Sequence, residues 1–288
     1  MDKIWKINWV LFGVAMGIMA AIIMSLSGCN TYYLNDIHDD PPPRDPKPNV
    51  VYVDVPGDPP PPLDPDVWVD TFEQPDPYDG IDIVWVLDKS CSMYDDEEEV
   101  LSGIDTMMNA LPAAGGWRLN MISIDPQQSV TEAQFPLVPG DDAGDAWNMY
   151  QNIPNSRLEQ GFLSIHDYME YNTYARTWMR PDAALLVVFV SDEEEQSQNF
   201  FPLADDFIDW YADQRPNVFL ASIIHDMPGP SYTPDCRYGV IDYGERYLDA
   251  TDLLGGVVID ICTSDWSTGV TEASGNLEPY ERWELTQP

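Results

Sequence analysis

Ile81-Asp82-Ile83-Val84-Trp85-Val86-Leu87, followed at once by Asp88-Lys89-Ser90-Cys91-Ser92, is the stretch whose reading decides the fold. The first seven residues are apolar except for Asp82, so both faces of a strand built from them would be apolar. A strand exposed on one side alternates, whereas a strand covered on both sides reads as a continuous run, as parallel strands do. Downstream, Val100, Leu101, Ile104, Met107, Met108 and Leu111 recur at helical spacing. Residues 117–124 read as a second strand and 131–138 as a short edge strand. Residues 158–171 read as a helix with Leu158, Phe162, Ile165 and Met169 on one side. Residues 183–190 (AALLVVFV) repeat the both-face apolar pattern and lead to a second acid, Asp192. A helix at 203–211, a strand at 218–224, a helix at 246–253 and a short strand at 257–261, entered through Gly255-Gly256, complete the alternation. The expected fold class is α/β: a doubly wound, mostly parallel sheet with helices on both faces. In such sheets ligands sit at the carboxyl ends of the strands, where Asp88 and Asp192 both fall.

The chain before this region has a different character. Lys3 and Lys6 precede an uncharged run over residues 9–26, long enough for a signal peptide or a membrane span. Leu26-Ser27-Gly28-Cys29 follows and resembles the lipobox of bacterial lipoprotein signal peptides. The resemblance implies cleavage before Cys29 and acylation of its thiol, including a palmitate-type chain, which would anchor the chain to a lipid membrane. By the same resemblance Asn30 favours the outer membrane over the inner. The competing reading is an uncleaved signal-anchor helix. Residues 39–66 are dense in proline, which fixes φ and removes backbone donors, so an extended spacer is expected. The resulting division is a signal peptide (1–28), an anchored linker (29–66), a transition (67–80), one α/β domain (81–276) and a tail (277–288).

Composition narrows the partners. Thirteen Lys and Arg against fifty Asp and Glu give a formal charge of −37. Phosphate would be repelled, so nucleic acid is excluded as a partner. The 10 Trp and 15 Tyr are too many for a disordered chain, so a packed core is expected.

Asp88, Ser90 and Ser92 are spaced by two. In an extended loop their oxygens would share a side while Lys89 and Cys91 point the other way. Hard oxygen donors of low total charge suit Mg2+, with Ca2+ or Mn2+ as alternatives. The plainer reading is helix capping, with Ser92 and Asp95 as a capping box. The pattern Asp-x-Ser-x-Ser after an apolar first strand resembles the metal-ion-dependent adhesion site (MIDAS) of von Willebrand factor A (VWA) domains. More narrowly, DKSCSM, LEQGF, FVSDEEEQS and YGERYLDA…GG…ICTSDW resemble a subgroup of envelope lipoproteins carrying that domain. The resemblance implies Asp88, Ser90 and Ser92 as ligands from the first loop and Asp192 from a later one. It also implies a Thr from a middle loop, which is missing here. Glu159 stands nearest that place, with Ser156 as the alternative. A protein partner would then offer an acidic side chain to the metal.

With Cys29 acylated, Cys91, Cys236 and Cys262 remain. The favoured disulfide is Cys236 with Cys262, leaving Cys91 as a buried filler. His166 is expected on a helix surface, and His225-Asp226 is too sparse to suggest catalysis. Three functions compete: a metal-dependent recognition or adhesion module on the cell envelope, a structural envelope or virion component with a fold-stabilising metal loop, and a Mg2+-dependent hydrolase. The last is disfavoured because Ser90 stands where phosphatases place a second Asp, so no enzyme is expected.

Overall fold

The computed structural model describes residues 80–111, 116–227 and 242–277, apart from the side chain of Asp95. The signal peptide, Cys29, the linker, residues 67–79, Cys236 and residues 278–288 lie outside the described residues.

Five strands form one all-parallel sheet in the order β2-β1-β3-β4-β5. They are β1 (Ile81–Leu87), β2 (Trp117–Ser123), β3 (Ala184–Val190), β4 (Val218–Ile224) and β5 (Val257–Asp260). The helices are α1 (Glu97–Ala110), α2 (Pro126–Ser129), α3 (Ala143–Asn152), α4 (Gly161–Tyr171), α5 (Ala175–Trp178), α6 (Ala204–Ala212), α7 (Glu245–Leu254) and α8 (Ser267–Gly275). The sheet is the expected doubly wound α/β architecture.

Side-chain parity splits the core into two layers. Ile81, Ile83, Trp85 and Leu87 of β1 face one side, with Leu186, Val188 and Val190 of β3. They pack on Val100, Ile104 and Met107 of α1, Met149 and Tyr150 of α3, and Val270 and Ala273 of α8. Val84 and Val86, with Leu185, Val187 and Phe189, face the other side against α4, α5, α6 and α7. A strand covered on both faces must be apolar at every position, which is why β1 and β3 read as unbroken runs. Asp82 is the exception. It is fully buried, and Arg180 answers it through Nε (2.9 Å), Nη2 (2.7 Å) and its backbone N–H (2.6 Å).

Helix ends follow local chemistry. Glu97, Glu98 and Glu99 occupy the first turn of α1, where the helix dipole favours negative charge. Asp142 and Asp145 form a capping box on α3. Gly255 closes α7 with φ 64°, a left-handed value that suits glycine, and a Cβ on Gly256 would lie 2.1 Å from the carbonyl oxygen of Leu220.

Some sequence expectations are corrected. Residues 131–138 make no strand; Leu137 only bridges Leu119. The helix expected from 158 starts at Gly161, because residues 155–160 form a loop that enters the site. His166 is buried rather than on the surface, among the rings of Phe200, Phe201 and Trp210 with Nδ1 2.9 Å from Asp167. Helices α3 and α8 are absent from the sequence reading because each buries only three residues, Ala146, Met149 and Tyr150 in one and Val270, Ala273 and Ser274 in the other, too few for a helical stripe. Among the described residues no helix is long and apolar enough to cross a membrane.

Candidate metal centre

After β1 the chain moves to β2 on one side, then returns to β3 on the other. The crevice at that reversal, beyond the carboxyl ends of β1 and β3, is where open parallel sheets place ligands. The ladder runs on past the strand ends. Asp88 N donates to Val190 O (2.9 Å) and Ser191 N to Ile223 O (3.2 Å). These bonds set the first loop beside the loop that follows β3.

Asp88 is buried and accepts three hydrogen bonds. Its Oδ1 accepts from Ser90 N (2.8 Å) and Ser156 Oγ (2.8 Å), and its Oδ2 accepts from Ser191 Oγ (2.8 Å). Ser90 Oγ and Ser92 Oγ are 2.8 Å apart, and Ser92 Oγ donates to Asp192 Oδ1 at 3.1 Å. Two sets of oxygens, Asp88 with Ser156 and Ser191 and Ser90 with Ser92 and Asp192, thus draw on three loops and are linked through the Ser90 N–H. The route differs from the extended loop expected. Cys91 has helical dihedrals, and Ser92 opens a single 3-10 turn over Ser92–Asp95. The hydroxyls meet across a turn rather than by strand alternation. Ser92 does not cap α1, which follows Asp96 and has no side-chain cap.

Lys89 is turned away from the cluster. Its Nζ donates to Tyr150 O and Ile153 O, both at 3.1 Å, and sits 4.1 Å from the centre of the Tyr150 ring. Those carbonyls end α3, where a cation is favoured.

The middle loop contributes a hydroxyl to Asp88, from Ser156. That hydroxyl also accepts from Lys89 N (2.7 Å). Glu159 is buried close by, and its carboxylate accepts from Gln196 Nε2 (3.1 Å). Gly161 completes this entry, since a Cβ there would fall 2.5 Å from Tyr247 Oη and 3.0 Å from Phe189.

The run Asp192-Glu193-Glu194-Glu195 does four different things. Asp192 joins the cluster. Glu193 lies near Glu159, both within 3.5 Å of Gln196 Nε2. Glu194 accepts from the first N–H groups of α7, those of Glu245 (3.1 Å) and Arg246 (3.2 Å). Glu195, fully buried, pairs with Arg246 Nε (2.9 Å) and accepts from Ser197. Arg246 also donates to Phe201 O and Pro202 O, so its charge is spent inside the fold.

The electrostatics follow. Burial, then repulsion from Asp88 and Glu193, pushes the Asp192 carboxyl well above the usual range. Burial and Asp88 raise Glu159 to about 7. Burial, Glu159, Asp88 and Asp242 raise Glu193 to about 8. Asp192 Oδ2 is buried without a hydrogen-bond partner, which is costly for a carboxylate oxygen. A divalent cation fits this donor set: two acids from adjacent strand ends, three hydroxyls, and one carboxylate oxygen whose lone pairs are unused. Asp88, Ser90, Ser92, Ser156 and Asp192 could hold it, with Glu159 at the edge.

Sequence reading missed Ser191, Gln196 and the electrostatic part of Glu193. Ser191 precedes Asp192 in a quoted motif, but its contact with Asp88 depends on β1 and β3 being neighbours, which spacing does not encode.

Cys91 is not the buried filler expected. It is exposed, and neither Cys91 nor Cys262 is a free thiol. The pairing expected for Cys262 involves Cys236, outside the described residues. His225, Asp260 and Cys262 also approach one another, with Sγ 3.7 Å from His225 Nδ1, but Cys262 has no thiolate to offer a metal.

The fold and cluster define a doubly wound α/β protein with an acidic, hydroxyl-rich centre at its switch point. A von Willebrand factor type A structure from Catenulispora acidiphila is similar with a TM-score of 0.47 at 12% identity, over 69% of this chain and 42% of that one. Proximal thread matrix protein 1 from the mussel byssus gives 0.40 at 12% identity, over 70% of this chain and 48% of that one. A structure of the same protein "with zinc occupied MIDAS motif" gives 0.42 at 11%, over 68% and 45%. The chain thus spans less than half the length of each. The sequence matches no protein-family model, and no curated protein matches it.

Proposed function

We propose that this chain is a metal-dependent recognition module rather than an enzyme. Asp88, Ser90, Ser92, Ser156 and Asp192 hold a divalent cation, Mg2+ before Ca2+ or Mn2+. When bound, the cation supplies an electrophilic position that a carboxylate of a protein partner can occupy. The observation that carries this reading is Asp192 Oδ2, buried without a partner on the carboxylate whose Oδ1 accepts from Ser92 Oγ, itself 2.8 Å from Ser90 Oγ. Hydroxyl donors favour it further, because they leave more of the cation's charge for a partner than carboxylates would. Ser191, Lys89 and Gln196 orient the loops and do not need to touch the partner.

Envelope anchoring through Cys29 belongs to the same proposal and rests on the lipobox-like Leu26-Ser27-Gly28-Cys29. An unmodified residue 29 in the mass spectrum of the purified protein would remove it.

The test is calorimetric titration of the full chain with Mg2+. Asp88→Ala is expected to abolish the binding heat while circular dichroism stays unchanged. Equal affinity in wild type and variant would place the metal elsewhere.

A further inference from the structure

We propose that His225, Asp260 and Cys262 form a second metal site, for Zn2+, which is closed while Cys262 is held in a disulfide and opens when a dithiol reduces it. The site lies beyond β4 and β5, apart from the centre at Asp88, and does not depend on the recognition reading above.

Strand pairing builds the trio. Asp260 ends β5 in register with Ile224, which ends β4. Ile261 N donates to Ile224 O (2.9 Å), so the two chains stay paired one step further and His225 comes beside Asp260 and Cys262. His225 and Cys262 are buried, while the Asp260 side chain is 24% exposed and leaves one side open to solvent. His225 Nδ1 lies 3.7 Å from Cys262 Sγ and 3.7 Å from Asp260 Oδ1. Cys262 N donates to that same carboxylate oxygen at 3.0 Å, which fixes the direction of the carboxylate.

These separations suit zinc. Tetrahedral Zn2+, with Zn–S of about 2.3 Å and Zn–N and Zn–O of about 2.0 Å, places its ligand atoms roughly 3.3–3.6 Å apart. The three ligand atoms here all lie within 4.8 Å of one another, and small side-chain rotations close that triangle. Imidazole, thiolate and carboxylate are zinc's donor types, softer together than the hydroxyls and carboxylates around Asp88. One thiolate and one carboxylate also offset the charge of the ion.

Only the thiolate is withheld, because Cys262 is disulfide-bonded. A dithiol supplies it in two exchanges. Its first thiolate attacks the sulfur bonded to Cys262, and Cys262 Sγ leaves with the electron pair of the S–S bond. Its second thiolate then displaces the other cysteine and closes the reductant's own disulfide. Two electrons and two protons pass from the dithiol to the two cysteines. Zn2+ afterwards displaces the proton from Cys262.

The test titrates the full-length protein with Co2+, which enters zinc sites and absorbs in the near ultraviolet when bound to a thiolate. It is done before and after reduction with a phosphine, which brings no thiol of its own. The oxidised protein is expected to show no thiolate-to-cobalt band. The reduced protein should show one that saturates at a single Co2+ per chain and is displaced by Zn2+ but not by Mg2+. Cys262→Ser should lose the band, and Asp88→Ala should keep it. His225→Gln and Asp260→Asn should each weaken cobalt binding about tenfold or more, since losing even a group behind a ligand costs that much. Absence of the band after reduction, its survival in Cys262→Ser, or wild-type affinity in His225→Gln would each overturn the inference. So would a reduced protein without its folded circular dichroism, because the trio exists only where β4 and β5 are paired.

Discussion

Asp82 near the start of β1 and Asp88 just past its end are both buried, and the fold treats them in opposite ways. Asp82 is met by three donors from one residue, Arg180, two of them from its guanidinium. The charge is neutralised inside the protein, so that end of the strand has no need of anything from outside. Asp88 is met by two serine hydroxyls and one backbone N–H, with no basic side chain in the set. Its charge repels that of Asp192, which keeps one oxygen unpartnered. A buried charge is normally paired, so the unbalanced end of the strand is the end available for a ligand.

The comparison predicts its largest effect at the paired end. Asp82→Ala strands the Arg180 guanidinium beside the core and should cost about 3–5 kcal/mol in urea denaturation, as broken buried pairs do. Asp88→Asn, at the unpaired end, should cost far less without metal, because it removes repulsion as well as hydrogen bonds. Similar losses in both variants would erase the distinction between the two ends.

The next effect is the metal's own. At 100 times its dissociation constant a cation that binds only the folded state stabilises it by about 2.7 kcal/mol. Mg2+ is expected to raise the melting temperature of wild type and to leave Asp192→Asn unmoved. A wild-type melting temperature that ignores Mg2+, Ca2+ and Mn2+ would break the assignment of the open end to a cation.

How much of this could be read beforehand depended on the range of each interaction. β1, β3 and β4 were legible because two-sided burial leaves no polar alternation, and the parity of β1 was already visible in its run. The first loop was legible as a set of oxygens, though not in its geometry, since a 3-10 turn at Ser92 brings the hydroxyls together instead of an extended loop. The choice between Ser156 and Glu159 could not be settled by spacing. Both stand in the same loop, and Ser156 reaches Asp88 only because Lys89 draws that loop in, through its N–H to the Ser156 hydroxyl and its Nζ to Ile153 O. The roles within Asp192–Glu195 were illegible for the same reason. Four consecutive acids look alike until α7 supplies Arg246 and its first N–H groups.

Glu132 provides the smallest effect and the sharpest control. Glu132 accepts Ser123 N through Oε1 (2.8 Å), while its Oε2 is buried and unpartnered like that of Asp192. It has no converging hydroxyls from neighbouring strands and so belongs to neither class. Burial, only partly opposed by the Ser123 N–H, raises its pKa to about 7 from the model-peptide 4.5. Between those values the folded state holds a proton that the unfolded state has released. Stability from this group is therefore complete below about pH 4.5 and declines as pH rises through 7. Glu132→Gln should flatten that decline, gaining on the order of 1 kcal/mol relative to wild type between pH 5 and 8. Denaturation at the two pH values measures it. The Mg2+ response of this variant should match wild type, because an orphaned oxygen alone does not make a cation site. If Glu132→Gln also lost that response, the convergence of strand ends at Asp88 and Asp192 would no longer be what separates a ligand centre from an ordinary strained carboxylate.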